Sequence, residues 1–146
     1  MNATAITAAT IALFCWGVTA IFDKFAMRGL DNPMVALIIR FSVVTGVLLA
    51  YGLFAGTFRE LRTVPPANIW ALVGSGLAAA VIGQFAYYTA IKHAEASRVV
   101  PFTASYPVVA LILAVVILRE PLTGLKVLGT FMIIGGLMLV GGVGGK

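Results

Sequence analysis

Charge is scarce in this sequence. Asp, Glu, Lys and Arg make up only 10% of the 146 residues, against about a quarter in a soluble domain. The five acids, Asp23, Asp31, Glu60, Glu95 and Glu120, fall at or beyond the ends of long apolar runs. That leaves no mid-membrane carboxylate to serve as a proton relay. The single cysteine, Cys15, rules out an internal disulfide and reads as small apolar filler. The single histidine, His93, lies beside Glu95 in a polar link and reads as a solvated loop residue. No His, Cys, Asp and Glu cluster has metal-ligand spacing, and no Ser, His and Asp set sits on facing segments. Enzyme, metal and cofactor chemistry therefore have no carrier here. The net charge of +5 comes without an aromatic and basic surface, which argues against nucleic acid as a partner. The first apolar run has no basic segment before it and does not read as a signal peptide.

What fills the chain is apolar. Hydrophobic residues make up 61% and the mean hydropathy is +1.07, more apolar surface than a soluble fold of this size has interior to hide. A spanning helix needs about 20 mostly apolar residues. Five runs qualify, over 5–22, 33–55, 69–90, 99–118 and 127–143. They lack the two-residue alternation of barrel strands, so the fold class is all-α integral membrane with five transmembrane helices. Asp23 and Lys24 are expected to close the first span.

The links are short and carry helix-boundary chemistry. In "GLDNPM", Gly29 ends one helix, Asp31 or Asn32 caps the next, and Pro33 sits in its first turn. In "TFRELRTVPPANIW", Pro65 and Pro66 turn the chain into the third span. In "LREPLTGLK", Pro121 stops the fourth span and Thr123 is a candidate cap. With no linker and no repeat, the chain reads as one domain over 1–146 whose sequential helices are antiparallel neighbours. Five spans put the termini on opposite sides. Arg59, Arg62, Arg119 and Lys126 then lie on the N-terminal side, and Lys24, Arg28, Lys92, Arg98 and Lys146 on the other. Lys and Arg in short loops set orientation, and four against five is almost no instruction. A single topology and insertion in both orientations are equally compatible with it.

Several polar residues stand inside the apolar runs. Gln84, Tyr87 and Tyr88 of "GQFAYYTA" share a helix face. An interhelical bond from Gln84 and an interfacial tyrosine belt account for the tyrosines better than for the amide. In "ASRVVPFTASYPVVA", Pro101 and Pro107 each remove a helix donor, and Ser97, Thr103, Ser105 and Tyr106 surround them. One proline is a packing kink; two with hydroxyls beside them suggest a cavity wall, since interrupted spans point to transporter sites. Trp16 in "FCWGVTAIF" is mid-span and offers a flat face beside Gly17, or it fills core or faces lipid. Arg40 lies about 10 Å into the second span, at 1.5 Å per residue. A charge there is costly and marks a function or a snorkelling anchor; Asp23, Asp31 and Glu95 are its candidate partners. The pairs Gly129 and Gly136, Gly135 and Gly142, and Gly52 and Gly56 form small-residue stripes suited to close packing, including packing between protomers.

The stretches "WGVTAIFDKFAMRG", "PMVALIIRF" and above all "AEASRVVPFTASYPVVALILAVVILREPLTGLKVLGTFMIIGGLMLVG" resemble the EamA-like domain of the drug/metabolite transporter superfamily. The resemblance covers essentially the whole chain and implies solute transport across a cell membrane. Many members have ten spans in two oppositely oriented halves, and this chain has the size of one half. Pairing with a second copy, in a homodimer that the balanced charges would allow to be antiparallel, is the expectation that follows; a parallel dimer and a second half-length protein are its rivals. Small multidrug resistance pumps of the same superfamily carry a glutamate midway along their first span. Phe14, Cys15, Trp16 and Gly17 stand there instead, so export coupled to that acid is not supported. The expected activity is movement of small polar metabolites such as amino acids. Trp16, Gln84, Tyr88, Thr103, Ser105 and Tyr106 would line the substrate site, with Arg40, Pro107 and Glu120 as gating or structural residues. A lipid-linked headgroup flippase and a non-transporting subunit or scaffold are the alternatives.

Overall fold

A computed structural model describes residues 3–140. These residues are helical almost throughout. Four helices are long and apolar enough to cross a membrane: α1 (Ala3–Arg28), α2 (Pro33–Ala55), α3 (Pro66–His93) and α4 (Ala96–Val116). A shorter apolar helix follows, α5 (Gly124–Val140). The remainder of the fifth run, with Gly142 and Lys146, lies outside the described residues. The chain divides into two compact units, Met1–His93 and Ala94–Lys146.

The boundaries follow local chemistry. The Asn32 side chain accepts the Met34 N–H at 2.9 Å, and Pro33 occupies the first turn of α2. The same helix stops at Gly56, whose φ of +70° is cheap only for glycine. A 3-10 turn over Thr57–Thr63 follows and returns the Phe58 ring to Gly52, where a Cβ would stand 2.8 Å from it. Gly52 and Gly56 thus have local work, a notch for a ring and a cap. By contrast, Gly129, Gly135 and Gly136 of α5 have open space around them.

The end of α1 differs from the expectation. Asp23 and Lys24 do not end α1, which runs on to Arg28. Their charges are satisfied sideways. Asp23 is paired across to Arg40 of α2, and the Lys24 Nζ donates to the Ile91 carbonyl at 2.6 Å, near the end of α3 where carbonyls lack helical partners. Lys92 similarly donates to the Asp31 carbonyl at 2.6 Å and lies 3.6 Å from its carboxylate. Within the first unit the last ten residues of α3, Gln84–His93, pack against both α1 and α2. Its core is small: Ala20, Met27, Ala36, Leu37, Tyr88 and Ile91 are buried, with Asp23 among them. Most large apolar side chains are exposed, which suits a solvent of lipid tails. Threonines inside α1 satisfy themselves locally, Thr7, Thr10 and Thr19 donating to carbonyls four residues back at 2.7–3.0 Å.

Two departures from α-geometry mark the longer helices. In α3 the turns over Gly76–Gly83 are π-helical, and the Gln84 N–H reaches back to the Ala79 carbonyl. The sequence gives no signal for this beyond its glycines. In the second unit α4 is interrupted between Thr103 and Tyr106, as the proline pair suggests. Pro107 sits in the first turn of the second segment and has no N–H to offer the Thr103 carbonyl. The helix ends at Val116, two residues before the expected Leu118. Arg119 takes a left-handed φ of 54°, and the Glu120 N–H reaches back to the Ala114 carbonyl at 3.2 Å. Thr123 caps α5, its hydroxyl 3.4 Å from the Lys126 N–H.

Candidate functional site

The first unit concentrates its polar groups at one place. Helical spacing puts Thr19, Asp23 and Ala26 on one side of α1, and Ala36, Ile39 and Arg40 on one side of α2. Together with Phe22, Leu30 and Tyr88 they line an open cavity of about 400 Å³. At its polar end three side chains from three helices meet. Arg40 Nη1 lies 3.2 Å from both carboxylate oxygens of Asp23 and donates to the Tyr88 hydroxyl at 2.9 Å. That hydroxyl in turn donates to Asp23 Oδ1 at 3.2 Å. Asp23 is nearly enclosed, its side chain 10% exposed, whereas that of Arg40 is 34% exposed. Tyr88 is 3% exposed, and the Tyr87 ring leans on it at 6.1 Å between centroids. The carboxylate is what makes the arginine tolerable inside a helix pair, because a charge removed from water needs a partner and hydrogen bonds.

The second unit has its own groove of about 600 Å³ along α4 and α5, lined by residues that include Tyr106, Pro107, Ala114, Gly129 and Ile133. An exposed ion pair stands at it, Lys126 Nζ being 3.6 Å from Glu120 and bonded to the Pro121 carbonyl at 3.1 Å. Among the described residues no group of His, Cys, Asp and Glu could hold a metal ion.

The first unit is a set of apolar helices around an open cavity with a charged end, and the comparison with known families agrees with a membrane protein. The EamA-like transporter family model matches residues 3–142. The chain belongs to that family. Among curated proteins it is similar to the probable amino-acid metabolite efflux pumps of Escherichia coli (strain K12) and Salmonella typhimurium (strain LT2), 29% identical to each over 134 residues. The match covers 88% of this chain and 45% of each relative, so the chain spans about half the length of these pumps. No solved structure matches it.

Within this EamA-like chain the residues singled out by sequence fall into separate groups. Arg40 and Tyr88 meet directly. Of the three acids considered for Arg40, Asp23 is the partner; Asp31 faces Lys92, and Glu95 lies 3.4 Å from Arg98. Gln84 is half-buried one turn before Tyr88, and its amide makes no hydrogen bond among the described residues. Trp16 is 68% exposed and does not line the cavity. Tyr106, Pro107 and Glu120 gather at the second groove. Thr103 and Ser105 instead turn their hydroxyls onto their own helix, to Val99 and Val100 at 3.0 Å and to Phe102 at 2.6 Å.

Sequence reasoning named Asp23 as a candidate partner of Arg40 but placed it at the end of the first span, and it missed Thr19. A signal was present: Ala20, Asp23 and Met27 recur at helical spacing, and all three are buried. Read as one face, they carry α1 past its apparent polar end and aim the carboxylate inward.

Proposed function

We infer that this chain is a membrane transporter moving small polar metabolites, amino acids or related compounds, by alternating access. Membership in a transporter family and the names of the two efflux pumps support the class. The observation that carries the reading is the cavity holding Asp23, Arg40 and Tyr88. Ionisable residues within membrane helices are expensive and are kept where they serve a pathway or site. Here they join three helices at one point, so that ligand binding and helix movement are coupled through the same bonds. Gln84 and Trp16, on the same helices, are candidate contacts for a larger solute. Arg40 serves as a gate as well as a strut in this reading. Pro107 and Glu120 act in the second unit, where the break in α4 gives a bending point. Thr103, Ser105 and Tyr106 around it contribute polar contacts once that helix bends.

In this reading a second five-span element faces the first across the midplane. An oppositely inserted copy of the chain would supply it, and the near-balanced basic residues permit that insertion. The transport reading is tested by counterflow of a labelled metabolite panel in proteoliposomes; uptake of no solute sinks it. Reporters active on only one side of the membrane, fused to the C-terminus, test the pairing. Signal from both sides is expected, and signal from one side alone removes the antiparallel copy. The apolar open groove of the second unit favours the flippase alternative, which predicts movement of a lipid-linked headgroup in the same vesicles when soluble solutes stay put.

A further inference from the structure

Arg40 carries five N–H donors in a planar fork. Its protein contacts all run through one corner of that fork. Nη1 alone meets Asp23 Oδ1, Asp23 Oδ2 and the Tyr88 hydroxyl. Nε and Nη2 have no partner among the described residues, although Arg40 lines the cavity and its side chain is one-third exposed. The Nε and Nη2 edge is the geometry that takes a carboxylate side-on through two parallel bonds. Asp23 already neutralises the guanidinium, so a simple carboxylate would bring an uncompensated negative charge into a cavity whose remaining lining is apolar. A ligand that also carries an ammonium restores the balance. Asp23 Oδ2 is the acceptor available to it, since Arg40 is its sole hydrogen-bond partner among the described residues. The rest of the lining, Phe22, Ala26, Leu30 and Ile39, is apolar.

We propose that the free edge of Arg40 receives the carboxylate of a ligand whose ammonium is taken by Asp23, so that the cavity selects small apolar α-amino acids over their amides, the matching amines and simple carboxylates. Tyr88 is a positioning residue: it is buried, touches both charged partners, and fixes which edge of the guanidinium remains open. The inference rests on the transport reading of the same cavity and specifies its chemistry.

The test is competition against labelled L-leucine binding to the full chain in lipid nanodiscs, with L-leucine, leucinamide, isopentylamine and 4-methylpentanoate as competitors. L-leucine should compete best, each analogue lacking one charge being at least about tenfold weaker, the usual scale of one charge-assisted hydrogen bond. Arg40→Lys should reduce leucine binding by about tenfold and leucinamide binding by clearly less, because an ammonium does not reproduce the fork. Asp23→Asn should narrow the gap between leucine and 4-methylpentanoate. The ranking on the unaltered protein needs no variant, so poor folding of either variant leaves the test intact. Equal competition by leucinamide and leucine, or full selectivity in Arg40→Lys, overturns the proposal, as does failure of L-leucine to bind. Counterflow of the metabolite panel separates the two levels. Movement of solutes without regard to their carboxylate sinks this proposal and leaves transport standing, whereas movement of nothing sinks both.

Discussion

Replacing Asp23 by asparagine leaves Arg40 in a membrane helix without its counter-charge, and the cost can be worked from the geometry. The charged atoms are 3.2 Å apart. At an effective dielectric constant of about 20, unit charges at that separation attract by about 5 kcal/mol. Most of this is offset by the desolvation of a carboxylate only 10% exposed. The third of the Arg40 side chain that remains accessible screens the pair further. Asparagine also keeps one hydrogen bond, accepted by its amide oxygen from the guanidinium. A net loss of about 2 kcal/mol is expected for Asp23→Asn, with a similar loss for Arg40→Gln. The double variant has no charge to leave stranded, so it should be less destabilised than the sum of the singles by about 1–2 kcal/mol. The measurement is unfolding of the four proteins in mixed micelles with increasing SDS, followed by tryptophan fluorescence. Additive losses, with coupling within about 0.5 kcal/mol of zero, would show that the two side chains sit near each other without holding the helices. Tyr88→Phe provides an internal control. It removes one hydroxyl from the network and should cost about 1 kcal/mol while preserving the coupling.

Other consequences follow from the helix boundaries. Gly52→Leu should destabilise the first unit by about 1–3 kcal/mol, because a side chain there meets the Phe58 ring; the same change in a Phe58→Ala background should cost less, read from thermal midpoints in detergent. Arg119→Gly should stabilise the chain by about 1 kcal/mol, since glycine adopts the left-handed φ of 54° without the Cβ clash; a lower midpoint would mean the arginine side chain contributes more than its backbone costs. Pro107→Ala restores an amide opposite the Thr103 carbonyl and should add about 1 kcal/mol while slowing counterflow, and unchanged transport would remove the α4 break from the mechanism.

Much of the architecture was legible because the bilayer imposes a length on apolar segments and the links are too short to hide their caps. The five runs, the Asn32 and Thr123 caps, the turn at Pro65 and Pro66, and the interruption of α4 all follow from residue chemistry acting over a few positions. The site was less legible for a physical reason. Asp23 and Lys24 look like the polar end of a span when read along the chain, because sequence distance says nothing about a guanidinium one helix away or a carbonyl at the end of another. The π-helical turns before Gln84 were invisible for a related reason: a change of helix register depends on which neighbours the following turn must meet.

Run lengths and composition alone make this a helical membrane protein with nearly balanced basic links and an arginine in need of a partner. Tertiary structure decided the partner. Arg40 lies 17 residues from Asp23 and 48 from Tyr88, and only the packing of α1, α2 and the last turns of α3 brings the three together. That packing spends one corner of the guanidinium on the protein and leaves the other edge to the cavity. The division matters because a buried charge is defined by its partners, and partners in a helix bundle are chosen by which faces meet.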